Sequence, residues 1–376
     1  MVPYKKNKEP PMKRTLLILT IVFLTSLLAA MPVSEAQTKS ARLTATDANG
    51  RTITLDQVPQ KILVAAKAAL MPAHALFLFP QAQQAELSLS KTDQGLGDFF
   101  SLVWPQIDAG GRLDQNASVE ELITKQSDLI LLKATHFESM GRKLDQVGVK
   151  NFTMSLETWD EWQTELVELG KLLGDEERAH QLLELYQQRI DLLQRRVSTV
   201  PAEQKPTVLL LQGNRSDNAY TFKIAPDAWL QTWVVELVGG KAVWKGSNKA
   251  ANGWSTVNVE QIASWNPDIV VTVSYNTPAS IYQEAIYNSP VWSNLFAVQN
   301  DQVYASPSDV MNYIQPVASW ILGAQWLAKT IHPELFADLD LEAEIRSFYK
   351  DFYGIEDRAL LDELVVRFNQ SIKTNR

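Results

Sequence analysis

Two matching stretches of sequence decide the fold. One is Asn258-Val-Glu-Gln-Ile-Ala-Ser-Trp-Asn-Pro-Asp-Ile-Val-Val271, and the other, earlier in the chain, is Ser118-Val-Glu-Glu-Leu-Ile-Thr-Lys-Gln-Ser-Asp-Leu-Ile-Leu131. Each stretch opens with a residue that favours a helix N-cap. Three positions later Glu121 or Gln261 follows, which is the pattern of a capping box. Each stretch then ends in an apolar run of strand length. The repeat therefore predicts the same helix-then-strand unit in two separate lobes.

Strands alternate with helices on both sides of a long helical middle. Thr158–Val200 has leucines at helical spacing almost throughout. Apolar runs of strand length lie before and after it, at residues 61–65, 128–132, 152–155, 207–211, 269–273 and 302–305. This order predicts an α/β fold with two Rossmann-like lobes, joined by one long α-helix, and a ligand cleft between the lobes. The predicted segments are a signal peptide (1–36), an N-terminal lobe (37–157), the linking helix (158–200), a C-terminal lobe (201–340) and a helical extension (341–376).

The N-terminus carries the features of a secretory signal peptide. Lys13 and Arg14 precede the apolar run Leu16–Ala30, and Ser34-Glu35-Ala36 places small residues where a signal peptidase cleaves. A membrane anchor is the competing interpretation, but the run is shorter than the ~20 residues that a spanning helix needs. We therefore expect cleavage after Ala36 and export.

Composition excludes several classes of protein. The 376 residues are 45% apolar and 21% charged, which is typical of a globular chain, and the net charge of −8 argues against nucleic acid as a partner. The absence of cysteine excludes disulfides, thiolate metal sites and a lipid-anchored N-terminal cysteine. With only four histidines, a histidine-rich metal site is not expected.

Candidate ligand residues follow the predicted strands, because ligands of open α/β sheets bind beyond the carboxyl ends of the strands. Cationic groups there would attract an anionic ligand, and aromatic groups suit a large chelate with apolar faces. Core packing is the competing interpretation for the aromatic residues, since most tryptophans after residue 200 have helical spacing. The candidates are Lys67, Lys133, His136, Arg215, Tyr220, Trp254, Tyr275 and Tyr313.

Glu120 and Glu260 occupy equivalent positions in the two repeated stretches. A carboxylate in the first turn of a helix gains about 0.3–1 kcal/mol from the helix dipole, so each glutamate alone could be structural. Two of them at matching positions make a pair of acidic groups suited to the arginines of a two-fold symmetric partner.

Taken together, the chain resembles periplasmic substrate-binding proteins of the iron-siderophore and cobalamin uptake type. Thr46-Asp-Ala-Asn-Gly-Arg-Thr-Ile53 resembles the first hairpin of that family, and Leu169–Gly174 resembles the start of its linking helix. Trp292–Val298 and His332-Pro333-Glu334 resemble motifs near its end. Leu70–Trp104, where ligand contacts of the first lobe should fall, resembles no motif of the family.

The resemblance implies a protein that captures an iron chelate and delivers it to the permease dimer of an ABC importer in the inner membrane. It places permease docking on Glu120 and Glu260, and implies a monomer that resides in the periplasm and has no catalytic residues, metal ligands or cofactor of its own. Molybdate, tungstate, cobalamin and haem remain alternative ligands. An exported enzyme is disfavoured because the sequence has no serine nucleophile elbow and no paired-histidine motif. A ligand-sensing module without a transporter is a third possibility.

Overall fold

The computed structural model describes residues 1–3, 42–94, 97–109, 111–216, 219–250 and 253–373. The predicted signal peptide lies outside the described residues, apart from residues 1–3. The described residues from Arg42 onward form one compact unit. Across the described ranges, no helix is both long and apolar enough to cross a membrane.

The first lobe is built on a parallel four-stranded sheet. A hairpin precedes it, and the sheet order is β4-β3-β5-β6. The strands are β1 (Leu43–Thr46), β2 (Thr52–Leu55), β3 (Lys61–Ala65), β4 (Glu86–Leu89), β5 (Leu129–Lys133) and β6 (Asn151–Met154). The helices are α1 (Leu70–Leu76), α2 (Pro80–Gln84), α3 (Phe99–Val103), α4 (Val119–Thr124) and α5 (Arg142–Gln146). Strand β5 is buried along its whole length, and its first four residues, Leu129–Leu132, form a continuous apolar run in the sequence.

Two helices connect the lobes where the sequence analysis predicts one linking helix over 158–200. They are α6 (Trp159–Leu173) and α7 (Glu176–Val197). The first helix ends because Gly174 adopts the left-handed conformation (φ 70°). The Asp175 carboxylate then accepts the Arg178 backbone N–H at 3.1 Å and caps the second helix. Only α7, with 22 residues, is long, and it extends about 33 Å at 1.5 Å per residue.

The second lobe contains a six-stranded sheet of order β10-β8-β7-β11-β12, with β9 paired to β7. Its strands are β7 (Thr207–Ser216), β8 (Ala219–Ile224), β9 (Lys241–Ala242), β10 (Ser255–Val257), β11 (Ile269–Val273) and β12 (Val303–Ala305). The helices of this lobe are α8 (Leu230–Leu237), α9 (Val259–Trp265), α10 (Ser280–Tyr287), α11 (Phe296–Gln299) and α12 (Trp320–Ile331).

This second sheet is mixed, with parallel and antiparallel pairs of strands. Strand β7 continues to Ser216 and pairs antiparallel with β8, and β8 pairs antiparallel with β10. The residues after position 211 therefore form paired strands, whereas the strand predicted from the sequence ends at residue 211. The alternation of aromatic, β-branched and polar residues in Ala219–Ile224 is the signal that could have indicated a strand.

The C-terminal extension, α13 (Leu341–Tyr353) and α14 (Arg358–Lys373), contacts both lobes and the long helix. Tyr353 Oη lies 2.5 Å from His74 Nδ1 in the first lobe. Arg178 of α7 donates to the carbonyl oxygens of Asp351 and Phe352, both at 2.9 Å. Tyr349 Oη lies 3.2 Å from Tyr313 Oη in the second lobe. The extension therefore restrains the relative positions of the two lobes.

Helix α12 approaches a neighbouring backbone segment closely at Gly323. A Cβ atom added there would lie 2.2 Å from the carbonyl oxygen of Tyr313. We expect Gly323→Ala to lower the free energy of unfolding by about 1–3 kcal/mol, because the overpacking exceeds the gain in helix propensity. Urea unfolding measures the change, and an unchanged or increased stability would contradict the close packing.

Candidate ligand-binding cleft

A cleft of about 300 Å³ lies where the carboxyl ends of the two sheets face each other. Segments after β3, β4 and β6 supply one side, and segments before α8 and β10 and after β11 and β12 supply the other. The residues that line it are Ala68, Ala69, Leu70, Met71, Lys91, Thr92, Asp93, Gln94, Gln115, Glu157, Trp229, Gln231, Trp254, Tyr275, Asn276, Gln315 and Pro316.

Aromatic rings form the second-lobe wall of the cleft. Trp254 packs edge-on against Trp229 at 6.1 Å and against Tyr275 at 6.2 Å between ring centroids. The Gln231 amide donates to Tyr275 Oη at 3.4 Å. Burial raises the pKa of Tyr275, so its hydroxyl group stays protonated. The wall therefore offers apolar surface with polar groups at its edges, as small-molecule sites commonly do.

A buried ion pair lies at the first-lobe side of the cleft. Lys133 Nζ lies 2.8 Å from Glu157 Oε1, and Lys133 also donates to the Ser155 carbonyl. The second carboxylate oxygen of Glu157 is buried and has no hydrogen-bond partner among the described residues. Burial raises the pKa of Glu157, and the charge of Lys133 partly offsets that effect. Lys133 is thus neutralised by a protein carboxylate.

Glu165 of α6 lies behind this pair. The residue is 5% exposed, and its carboxyl group accepts the backbone N–H groups of Ser155 and Leu156 at 2.8 and 3.1 Å. Burial, with a smaller contribution from Glu161, raises the pKa of Glu165 from 4.5 to about 8. Glu165 is therefore predominantly neutral at pH 7.

This raised pKa predicts a pH-dependent stability. The unfolded chain loses the Glu165 proton near pH 4.5 and the folded chain keeps it until about pH 8, so this group's stabilising contribution is lost as pH rises through that range. We expect the free energy of unfolding of the Glu165→Gln variant to fall less than that of the parent protein as pH rises from 4.5 to about 8. The expected difference from the parent is at least about 1.4 kcal/mol, the equivalent of one pKa unit. Parallel pH profiles in urea unfolding would contradict the assignment.

Two glutamine side chains join the lobes at the cleft. Gln94 Nε2 donates to Gln315 Oε1 and Gln315 Nε2 donates to Gln94 Oε1, both at 2.9 Å. The Asn312 backbone N–H also donates to Gln94 Oε1 at 2.9 Å. The first-lobe wall comes from residues 68–71, 91–94, 115 and 157. Residues 91–94 lie within Leu70–Trp104, where first-lobe contacts were expected but no single residue was predicted.

Of the eight predicted ligand residues, the structure places Trp254 and Tyr275 in the cleft wall. Lys133 lies behind it, paired with Glu157. Lys67 is exposed, and its carbonyl oxygen lies 3.1 Å from His136 Nε2. Burial lowers the pKa of His136, so this ring is neutral at pH 7. Lys67 and His136 are not among the lining residues.

The other three predicted residues lie elsewhere, which corrects their expected position. Arg215 and Tyr220 face each other across the β7–β8 hairpin, with the guanidinium group 5.6 Å from the ring centroid. Both residues lie in the paired strands of this hairpin and are not among the residues that line the cleft. Tyr313 is fully buried and donates to Asp309 Oδ2 at 3.0 Å. The C-terminal extension covers Tyr313 with Tyr349 and Phe368, so it is a core residue.

Glu120 and Glu260 are both exposed, in the first turns of α4 and α9. The Ser118 hydroxyl accepts the Glu121 N–H at 3.2 Å, and the Asn258 amide oxygen accepts the Gln261 N–H at 2.8 Å, so both predicted N-caps are present. The backbone N–H of Glu120 and the Ser118 hydroxyl lower the pKa of Glu120, which keeps it ionised. A surface groove of about 530 Å³, lined by Tyr220 and Trp292 among others, adjoins Glu260.

Within the described ranges, no group of three or more histidine, aspartate or glutamate side chains could hold a metal ion.

Two α/β lobes with a cleft between the carboxyl ends of their sheets define a two-lobed ligand-binding protein. A model of the periplasmic binding protein family matches residues 104–310, more than half of the chain. The chain belongs to this family, and it is a substrate-binding protein of the kind that serves ABC importers. This confirms the resemblance and the fold class predicted from the sequence.

Three curated relatives illustrate the range of the family. The uncharacterized ABC transporter substrate-binding lipoprotein YvrC of Bacillus subtilis is 23% identical over 318 residues, which cover 81% of this chain and 90% of that protein. The molybdate-binding protein MolA of Haemophilus influenzae is 25% identical over 259 residues, covering 63% and 70% of the two chains. The ferric enterobactin-binding periplasmic protein FepB of Escherichia coli is 24% identical over 316 residues, covering 78% and 91%.

Solved structures agree with this fold. A periplasmic solute-binding protein of Veillonella parvula superimposes with a TM-score of 0.67 at 22% identity, over 88% of this chain and 98% of that chain.

Proposed function

We propose that this protein is exported to the periplasm, captures a ferric chelate in the cleft between its lobes and delivers it to an ABC permease dimer in the inner membrane. The observation that carries this proposal is the cleft of about 300 Å³ with Trp229, Trp254 and Tyr275 in its wall. Clefts of this volume with aromatic walls suit organic ligands that have apolar surface to bury.

A bare oxyanion fits this cleft less well. Molybdate and tungstate have no apolar surface, so they would gain nothing from the three aromatic side chains of the wall. Relatives that bind ferric enterobactin and molybdate occur at nearly the same identity, so relatedness does not favour either ligand. The preference for a chelate rests on the aromatic residues of the cleft wall. Cobalamin and haem also have apolar surface, so they could make the same contacts with these residues.

Delivery to the permease is assigned to Glu120 and Glu260. Both carboxylates are exposed, and both sit at the same position of the repeated helix-then-strand unit. A permease dimer presents each of its surfaces twice, so two matching acidic groups suit paired arginines. The protein acts as a monomer and carries its ligand without chemical change.

Thermal unfolding of the purified protein with candidate ligands tests this function. A ligand present at 100 times its dissociation constant adds about 2.7 kcal/mol to the free energy of unfolding. We expect a rise in Tm with at least one ferric siderophore or with ferric citrate, and none with the iron-free siderophore. A rise in Tm with molybdate or tungstate alone would contradict the chelate assignment. A rise with haem or cobalamin alone would mean that the protein carries that ligand and not a ferric siderophore or ferric citrate.

A further inference from the structure

The charges that line the cleft balance one another. Lys91 and Asp93, two positions apart in the sequence, carry opposite charges in the same wall. Glu157 is the remaining charged residue of the described lining, and Lys133 pairs with it from behind at 2.8 Å. The described lining therefore offers no surplus positive charge to an anionic ligand.

Two lining residues carry acceptor oxygens that the protein leaves unpaired. Glu157 Oε2 and Gln231 Oε1 are both buried, and neither has a hydrogen-bond partner among the described residues. Gln231 is 2% exposed, and its amide nitrogen is already directed to Tyr275 Oη. Buried acceptors are normally paired, so a ligand that supplies donors would satisfy what the protein does not.

We propose that the ligand is a ferric complex without net negative charge that donates N–H or O–H groups to Glu157 and Gln231, as a ferric trihydroxamate can. This inference rests on the proposed function. Three singly charged hydroxamate groups neutralise Fe(III), and the peptide or amine groups that link them are donors. Three doubly charged catecholates leave the complex strongly anionic, and molybdate is a dianion. Anions of this kind meet an unpaired carboxylate oxygen and no surplus of positive charge in the described lining.

Isothermal titration with three probes tests the inference. The first probe is ferrichrome, which is a neutral trihydroxamate complex. The second is ferric enterobactin, which is an anionic tricatecholate complex, and the third is molybdate. We expect ferrichrome to bind at least about tenfold more tightly than either anion, which corresponds to about 1.4 kcal/mol. If ferric enterobactin binds as tightly or more tightly, the charge assignment is overturned while the proposed function stands. If molybdate alone binds, both are overturned.

Glu157→Gln separates the charge argument from general effects on the cleft. The change removes the carboxylate and leaves the Lys133 ammonium group uncompensated. We expect the ratio of ferrichrome affinity to ferric enterobactin affinity to fall by about tenfold.

Gln231→Leu keeps the size of the side chain and removes the acceptor, so it should weaken ferrichrome binding without changing the charge. Should Glu157→Gln fail to fold, Asp93→Asn changes one charge at the exposed rim, and its affinity ratio should move in the same direction. An unchanged ratio in the variants that fold would overturn the inference.

Discussion

Reversing Glu120 and Glu260 together to arginine is expected to abolish transport while leaving ligand affinity intact. The two carboxylates are exposed and lie at matching positions of the repeat, away from the cleft lining. Two acidic groups that pair with permease arginines become two sites of like-charge repulsion in the variant. Uptake of the radiolabelled chelate by cells that depend on this protein should fall at least about 100-fold, the equivalent of about 2.7 kcal/mol.

The control is a pair of glutamates that are exposed elsewhere on the surface. Glu177 on α7 and Glu284 on α10 are both exposed, and reversing them changes the net charge by the same amount. This control should transport normally, and both double variants should bind the chelate with the parental Kd. Normal uptake in the Glu120/Glu260 variant would overturn the docking assignment.

Trp254→Ala is expected to weaken chelate binding by about 30-fold or more. Trp254 lines the cleft and is held by edge-on contacts with Trp229 and Tyr275. Truncating an aromatic anchor at the centre of a binding site typically costs 2 kcal/mol or more, which converts to about that change in Kd. Isothermal titration measures the effect directly.

A matched variant separates binding from stability. Trp233 packs against Trp159 and Trp320 beside the long helix and is not among the residues that line the cleft. Trp233→Ala should lower the stability of the protein and leave Kd near the parental value. Equal losses of affinity in the two variants would place Trp254 in the scaffold instead of the ligand contact.

The helix-then-strand units were predictable from the sequence because their determinants are local. Ser118 and Asn258 cap α4 and α9 through contacts three residues away, and the apolar runs that follow become β5 and β11. The break before α7 also has local determinants, because Gly174 ends one helix and Asp175 caps the next, although one linking helix was predicted there.

Most of the cleft was not predictable, because it depends on contacts between distant segments. Gln94 and Gln315 are 221 positions apart in the sequence and still share two hydrogen bonds. Tyr313 follows a strand, as a ligand residue would, but the C-terminal extension covers it. Lys133 was correctly placed at the end of a strand, and only the fold reveals that Glu157 neutralises it.

Locating the iron atom in crystals grown with a ferric chelate tests the central claim most directly. Anomalous diffraction recorded at the iron absorption edge identifies the metal position without reference to the rest of the ligand. We expect one iron peak in the cleft, with the chelate against Trp254 and Tyr275 and close to Glu157 and Gln231. An iron peak in the groove beside Glu260, or at another place on the surface with the cleft unoccupied, would contradict it.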